Sequence, residues 1–122
     1  MTKERLELGK LGEKLALKRI KRLGYRKVIS NYTCPLGEVD LIAMDGDTLV
    51  FLEIKTRKGR SVAFAKEAVN ERKRRQVSKV ALAYMKAKNC CDAKARFDVV
   101  AVSLGKGRPE IELIKNAFEL NY

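Results

Sequence analysis

The sequence predicts an α/β protein of element order αβββαββ, a mixed central sheet flanked by two long helices. Three observations carry that prediction. Apolar residues recur at helical spacing over residues 3–23 and again over about 65–88. Between those stretches, two strand-like runs meet at the turn signal Asp45-Gly46-Asp47. A last pair of runs, 97–104 and 110–115, flanks the turn residues Gly105–Pro109. With 122 residues and no repeat, low-complexity tract or Pro/Ser-rich linker, residues 1–122 are expected to form a single domain around one modest core.

The first helix is expected to stop at Gly24. Taking Glu13 as zero and about 100° per residue, Leu6, Gly9, Ala16, Leu17, Ile20 and Leu23 fall within about 80° of it. Lys10, Lys14, Lys18 and Lys21 fall on the other side. Glu13 is thus expected near the middle of the core-facing stripe. Gly9 and Gly12 flank it, and each costs a helix roughly 1 kcal/mol against alanine. Close approach of another backbone or a ligand would explain both.

Residues 27–34, "KVISNYTC", predict the first strand, and "PLG" turns the chain. Strands at about 38–44 and 48–56 follow as a hairpin. A basic loop, "RKGRSVAF", leads into the second helix, whose stripe holds Val69, Val77, Val80, Ala81 and Tyr84, with Lys73 inside it. "FDVVAVSL" and "EIELIK" supply the last two strands.

Charge and composition narrow the function. The chain carries 27 Lys+Arg against 15 Asp+Glu, a formal charge of +12, and segments 1–27 and 55–79 hold twenty of the bases but only five of the acids. Clustering of that kind provides a field for a polyanion, most simply nucleic acid. Three cysteines without CxxC spacing, Cys34, Cys90 and Cys91, argue against a disulfide framework and for a reducing compartment. No apolar run reaches membrane-spanning length and no secretory leader is visible, so the expectation is a soluble, cytoplasmic protein that does not engage a membrane. Histidine is absent, which excludes Ser-His-Asp and Cys-His nucleophiles and His-ligated zinc. Any catalysis must run on carboxylates, lysines, hydroxyls, thiols or a hard metal held by oxygen. No small organic cofactor is expected.

One constellation stands out. Asp40 interrupts the first apolar run of the hairpin, and Glu53 with Lys55 interrupts the second. Alternation puts Glu53 and Lys55 on the same side of their strand. A two-residue Gly46-Asp47 loop pairs Asp45 with Thr48 and places Asp40 directly across from Glu53. An Asp45-Gly46 loop makes the two acids diagonal neighbours, and a three-residue loop breaks the parity unless a bulge restores it. Facing carboxylates repel, more so if desolvated, and need a counter-charge. Lys55 can supply one positive charge, and a divalent ion such as Mg²⁺ or Mn²⁺ two. Such an ion can polarise a phosphoryl oxygen, with a neighbouring lysine orienting water or stabilising developing charge. A solvent-facing strand edge with an ion pair accounts for the same spacing equally well.

"GEVDLIA" followed by "VFLEIKTR" resembles the PD-(D/E)xK nuclease signature. Together with "GKLGEKLALKRIKRLGY", "RFDVVAV" and the closing "NAF", it looks like the YraN-type family of small bacterial proteins, itself similar to archaeal Holliday-junction resolvases. The resemblance covers nearly the whole chain and implies a restriction-endonuclease-like fold. It matches Glu13 to the first-helix acid that completes the metal site, Asp40 and Glu53 to metal-binding acids, and Lys55 to a catalytic lysine. The Ile54 carbonyl is a further implied metal ligand. Val39 stands where the signature has proline, a position that supplies no ligand. Lys73 and Gln76 fall where related nucleases place a second-helix polar residue, and the sequence does not choose between them. Nucleic-acid contacts are expected from Lys10, Lys14, Arg57, Lys58, Arg60, Arg72, Arg74, Arg75 and Lys79. Asp98 reads either as an added site acid or as the partner of Arg96.

The functional expectation is therefore a Mg²⁺- or Mn²⁺-dependent DNA endonuclease selective for branched or junction DNA. Symmetric cutting of a junction would require a homodimer. The main alternative is a nucleic-acid-binding module on a nuclease fold that does not cut. An adaptor at a membrane surface or on another protein has only the basic charge in its favour.

Overall fold

Local signals at both ends define the first helix. The computed structural model describes residues 2–59, 69–105 and 107–120. Helix α1 (Lys3–Arg22) starts where Thr2 Oγ1 accepts the Arg5 N–H at 3.2 Å, a cap that stabilises by about 1 kcal/mol. It ends in a Schellman motif. Gly24 takes φ +97°, its N–H donates to the Lys21 carbonyl, and the Tyr25 N–H reaches back to Ile20. Strands β1 (Arg26–Cys34), β2 (Gly37–Asp45) and β3 (Thr48–Lys58) form an antiparallel meander. Helix α2 (Glu71–Ala87) then crosses to β4 (Lys94–Leu104), which lies parallel to β3, and β5 (Glu110–Phe118) returns antiparallel.

The result is one five-stranded mixed sheet in the order β1-β2-β3-β4-β5 with a helix on each face. On one face Ala16 and Ile20 of α1 cover Leu41, Val50, Leu52, Val100 and Val102. On the other, Val77, Val80, Ala81 and Tyr84 of α2 cover Val39, Phe51, Phe97 and Val99. The parallel pair β3–β4 is covered on both sides, which is why its residues form near-continuous apolar runs. Each large side chain closed off there, Phe51 among them, stabilises the fold by about 1.5–3 kcal/mol. Among the described residues, no helix is long and apolar enough to cross a membrane.

Several expectations change at this level. The second helix begins at Glu71, because Asn70 Oδ1 accepts the Lys73 N–H at 2.9 Å and stops the helix from extending towards Val69. Residues 65–68 lie outside the described residues. The buried stripe of α1 is Gly12, Ala16 and Ile20, so its centre is displaced towards Ala16 and Glu13 sits exposed at the margin. Gly12 sets that rotation. A Cβ there would fall inside the Thr56 side chain, so only glycine lets the helix rest on β3. Gly9 has nothing within 4 Å of where its Cβ would be, so approach of another backbone does not explain it.

The hairpin register is the two-residue alternative. Asp45 pairs with Thr48 around Gly46, which takes φ +62°, and the ladder continues to Leu41 opposite Leu52. It stops there. Val39 belongs to the cluster under α2 and Leu41 to the cluster under α1, although residues two apart in a regular strand share a face. The pleat therefore slips at Asp40. On β1, the residue between the pairs Ser30–Leu41 and Tyr32–Val39 is Asn31, at φ +55°.

Candidate active site

Where the β2–β3 ladder ends, two carboxylates take over its hydrogen bonds. The Asp40 N–H donates to Glu53 Oε2 at 3.0 Å, and the Ile54 N–H donates to Asp40 Oδ2 at 2.8 Å. Each acid therefore reaches across to the other strand's backbone. This reciprocal pair holds the strand ends apart while keeping two negative groups side by side.

The two acids differ in environment. Glu53 points towards α2 and is 1% exposed, whereas Asp40 is half-buried beside an open cleft of about 270 Å³ on the α1 side. Burial, and then the Asp40 charge, push the Glu53 carboxyl up to about 7, against the opposing pull of Lys73. Lys73 Nζ lies 3.0 Å from Glu53 Oε1 but off the direction of a hydrogen bond, which it gives instead to Gln76 Oε1 at 3.2 Å. Glu53 Oε1 is the one buried side-chain oxygen or nitrogen among the described residues that has no hydrogen-bond partner.

The counter-charge at Glu53 is thus Lys73 rather than Lys55. Lys55 follows two residues after Glu53 on β3, half-buried, and makes no ion pair among the described residues. Gln76 is seated against Gly37 (φ +140°), where a Cβ would come within 2.7 Å of its Cγ. Lys73 and Gln76, the two candidates for one role, act here as a pair.

Glu13 lines the cleft with Asp40, Lys10 and Lys14. Although the residue is exposed overall, partial desolvation by the cleft wall, then Asp40 and Glu38, raise its carboxyl, with Lys10 opposing. Glu13 does not close on Glu53: among the described residues no three acids or cysteines stand together as a metal-binding group. Asp40 and Glu53 nevertheless suit a hard divalent ion. Their donors are all oxygen, one buried oxygen lacks a partner, and Mg²⁺ commonly binds through one or two carboxylates while keeping several waters. Ile54 already serves Asp40 through its N–H and pairs with Val100 in the parallel ladder.

The basic residues divide. Lys10, Lys14, Arg57, Lys58, Arg72, Arg75 and Lys79 are exposed, with Lys58 paired to Glu4 and Arg75 to Glu71. Arg74 has a structural role. Its Nε donates to the Val69 carbonyl at 2.9 Å and its guanidinium lies 5.6 Å above the Phe118 ring, so it fastens α2 to β5. Arg60 falls outside the described residues. Asp98 is the partner of Arg96, completely buried on the α1 face and away from the Glu53 side. Sequence reasoning missed Ser30 and Asn31, which line the cleft beside Asp40. The available signal was an asparagine inside a β-rich run, a residue that tolerates positive φ and suits strands poorly.

Comparison with known proteins gives one consistent answer. Residues 12–102 match the family described as uncharacterised protein family UPF0102. A UPF0102 protein of Syntrophus aciditrophicus is 46% identical over 119 residues, covering 98% of this chain and 94% of its own length. One from Geobacter sulfurreducens is 48% identical over 116 residues, covering 94% and 91%. A third, from Moorella thermoacetica, is 38% identical over 120 residues, covering 97% and 100%.

Proposed function

The chain belongs to the uncharacterised UPF0102 family, and we propose that it is a metal-dependent DNA endonuclease that hydrolyses phosphodiesters in branched or junction DNA. One observation carries this reading: Glu53, fully buried beside Asp40, has an oxygen that accepts no hydrogen bond and meets only the Lys73 ammonium, 3.0 Å away. A buried carboxylate left in that state costs stability, and functional sites are where such costs persist. The αβββαββ order and mixed sheet support a restriction-endonuclease-like fold. Preference for branched DNA, and the homodimer that symmetric cutting would need, rest on the resemblance to archaeal resolvases.

Held at the site, Mg²⁺ or Mn²⁺ would supply Lewis-acid charge at the scissile phosphate, with Asp40 and Glu53 as its ligands. The chain's own groups do the rest. Lys55, two residues from Glu53 and unpaired among the described residues, is free to orient the attacking water or to stabilise charge developing on the phosphate. Lys10 and Lys14 border the cleft, while Arg72 and Lys79 line α2, so a phosphate backbone meets positive charge on both sides of the acids.

The test is cleavage of labelled linear, flapped and four-way DNA with Mg²⁺ or Mn²⁺, comparing the wild type with Glu53→Ala. Metal-dependent cutting that falls at least a hundredfold in the variant is expected, in line with loss of a group that acts on the transition state. A second reading draws on the absence of a three-acid group among the described residues: a module that binds nucleic acid and leaves it intact. Salt-sensitive binding without cutting, equal in both proteins, would establish that reading instead.

A further inference from the structure

We propose that Lys73 is a resident cation that occupies the metal's place beside Glu53, and that a nucleic-acid phosphate loads the site by drawing Lys73 away. This rests on the metal site proposed above and adds how that site is regulated. Lys73 Nζ stands 3.0 Å from the one oxygen of Glu53 that lacks a hydrogen bond. A divalent ion bound to that oxygen would meet a like charge at contact distance, so lysine and ion exclude each other.

The geometry gives the lysine a way out. Its backbone is fixed, because Asn70 caps its N–H, but its side chain is 26% exposed where Glu53 is 1%. Its hydrogen bond is made to Gln76, not to the acid, and Gly37 leaves the room in which Gln76 sits. Arg72, Gln76 and Lys79 follow at i, i+4 and i+7, one side of α2 that a phosphate backbone can track past Lys73. An ammonium moving from a buried carboxylate to a phosphate keeps a partner throughout. The carboxylate it leaves is then free for the ion. Phosphate and metal therefore help each other bind, and by linkage the help is equal in both directions.

Calorimetric titration of Mn²⁺ into the full chain, at one fixed pH, separates the possibilities. The proteins are the wild type, Glu53→Gln, Lys73→Met and Lys73→Gln, each checked for folding by circular dichroism. Each is titrated alone and with a four-way DNA carrying uncleavable phosphorothioate linkages. The expected result is that Glu53→Gln loses the site and Lys73→Met binds Mn²⁺ roughly tenfold more tightly than the wild type, within the usual range of coupling between sites. The DNA should tighten Mn²⁺ binding by a similar factor in the wild type and leave Lys73→Met unchanged. If Lys73→Met fails to fold, Lys73→Gln carries the same expectation. Mn²⁺ affinity that depends on Glu53 but is not raised by removing Lys73 would overturn the inference and leave the metal site standing. Affinity equal in the wild type and Glu53→Gln would overturn both.

Discussion

Asp98 on β4 and Glu53 on β3 lie one residue out of register on neighbouring parallel strands, both at most 1% exposed, and the fold treats them in opposite ways. Asp98 Oδ1 accepts from Arg96 Nε and the Asn116 N–H, and Oδ2 from the Tyr25 hydroxyl and the second Arg96 nitrogen, all within 2.8–3.0 Å. The same arginine reaches Asp45 at 2.8 Å. Groups from the α1–β1 junction, β2, β4 and β5 thereby converge on one ion pair. Glu53 has one backbone hydrogen bond, a lysine at a poor angle and an acid for a neighbour. A buried charge whose every lone pair is filled holds elements together. One left open waits for something else.

Removing the cation from each acid should give the largest contrast. Arg96→Met leaves the buried Asp98 without a cation, while Asp45 keeps Lys115 at 3.4 Å, and should cost about 3–5 kcal/mol in urea denaturation. Lys73→Met should cost much less, because the Glu53 carboxyl, already raised, can take up a proton. Equal losses would erase the distinction between the two sites.

The pH dependence sharpens it next. The Glu53 carboxyl is raised from 4.5 to about 7, so over that interval the metal-free folded protein keeps a proton the unfolded chain has released. Its contribution is complete below about pH 4.5 and is lost as the pH rises through about 7, on the order of 3 kcal/mol. Glu53→Gln should therefore gain on the wild type across that window. Parallel stability curves for the two proteins would mean that the acid is not desolvated as described.

The smallest effect concerns a single member of the satisfied network. Tyr25→Phe removes a hydroxyl that donates to Asp98 and accepts from Arg96, with an expected loss of about 1–2 kcal/mol by thermal or urea unfolding. A change within a few tenths of a kcal/mol would show that Arg96 and Asn116 satisfy Asp98 unaided.

Alternation and turn chemistry were enough to read the element order and to narrow the hairpin register to a few alternatives, one of which the structure adopts. The pairing of Asp45 with Thr48 runs to Leu41 and Leu52, as the Gly46-Asp47 loop requires. The next pair was not legible, because the pleat slip at Asp40 occurs beside Asn31 on the preceding strand, and strand periodicity does not see across a ladder. The displaced stripe of α1 follows from a glycine meeting Thr56, again a tertiary contact. Asn70 was a readable cap, but the apolar Val69 beside it extended the apparent helix. The choice of Lys73 over Lys55 as the partner of Glu53 depends on how α2 lies on the sheet, which the spacing of residues along the chain does not encode.

The slipped pleat at Asp40 also bears on any redesign of this protein. Regularising β2 and β3 so that they zip to their ends would add ladder hydrogen bonds and displace the two cross-strand carboxylate bonds of Asp40 and Glu53. Selection or engineering for stability alone would favour that repair, yielding a sturdier sheet that, on the proposed function, no longer cuts. On the proposed function, Asp40 marks the place where the protein remains imperfect in order to remain useful.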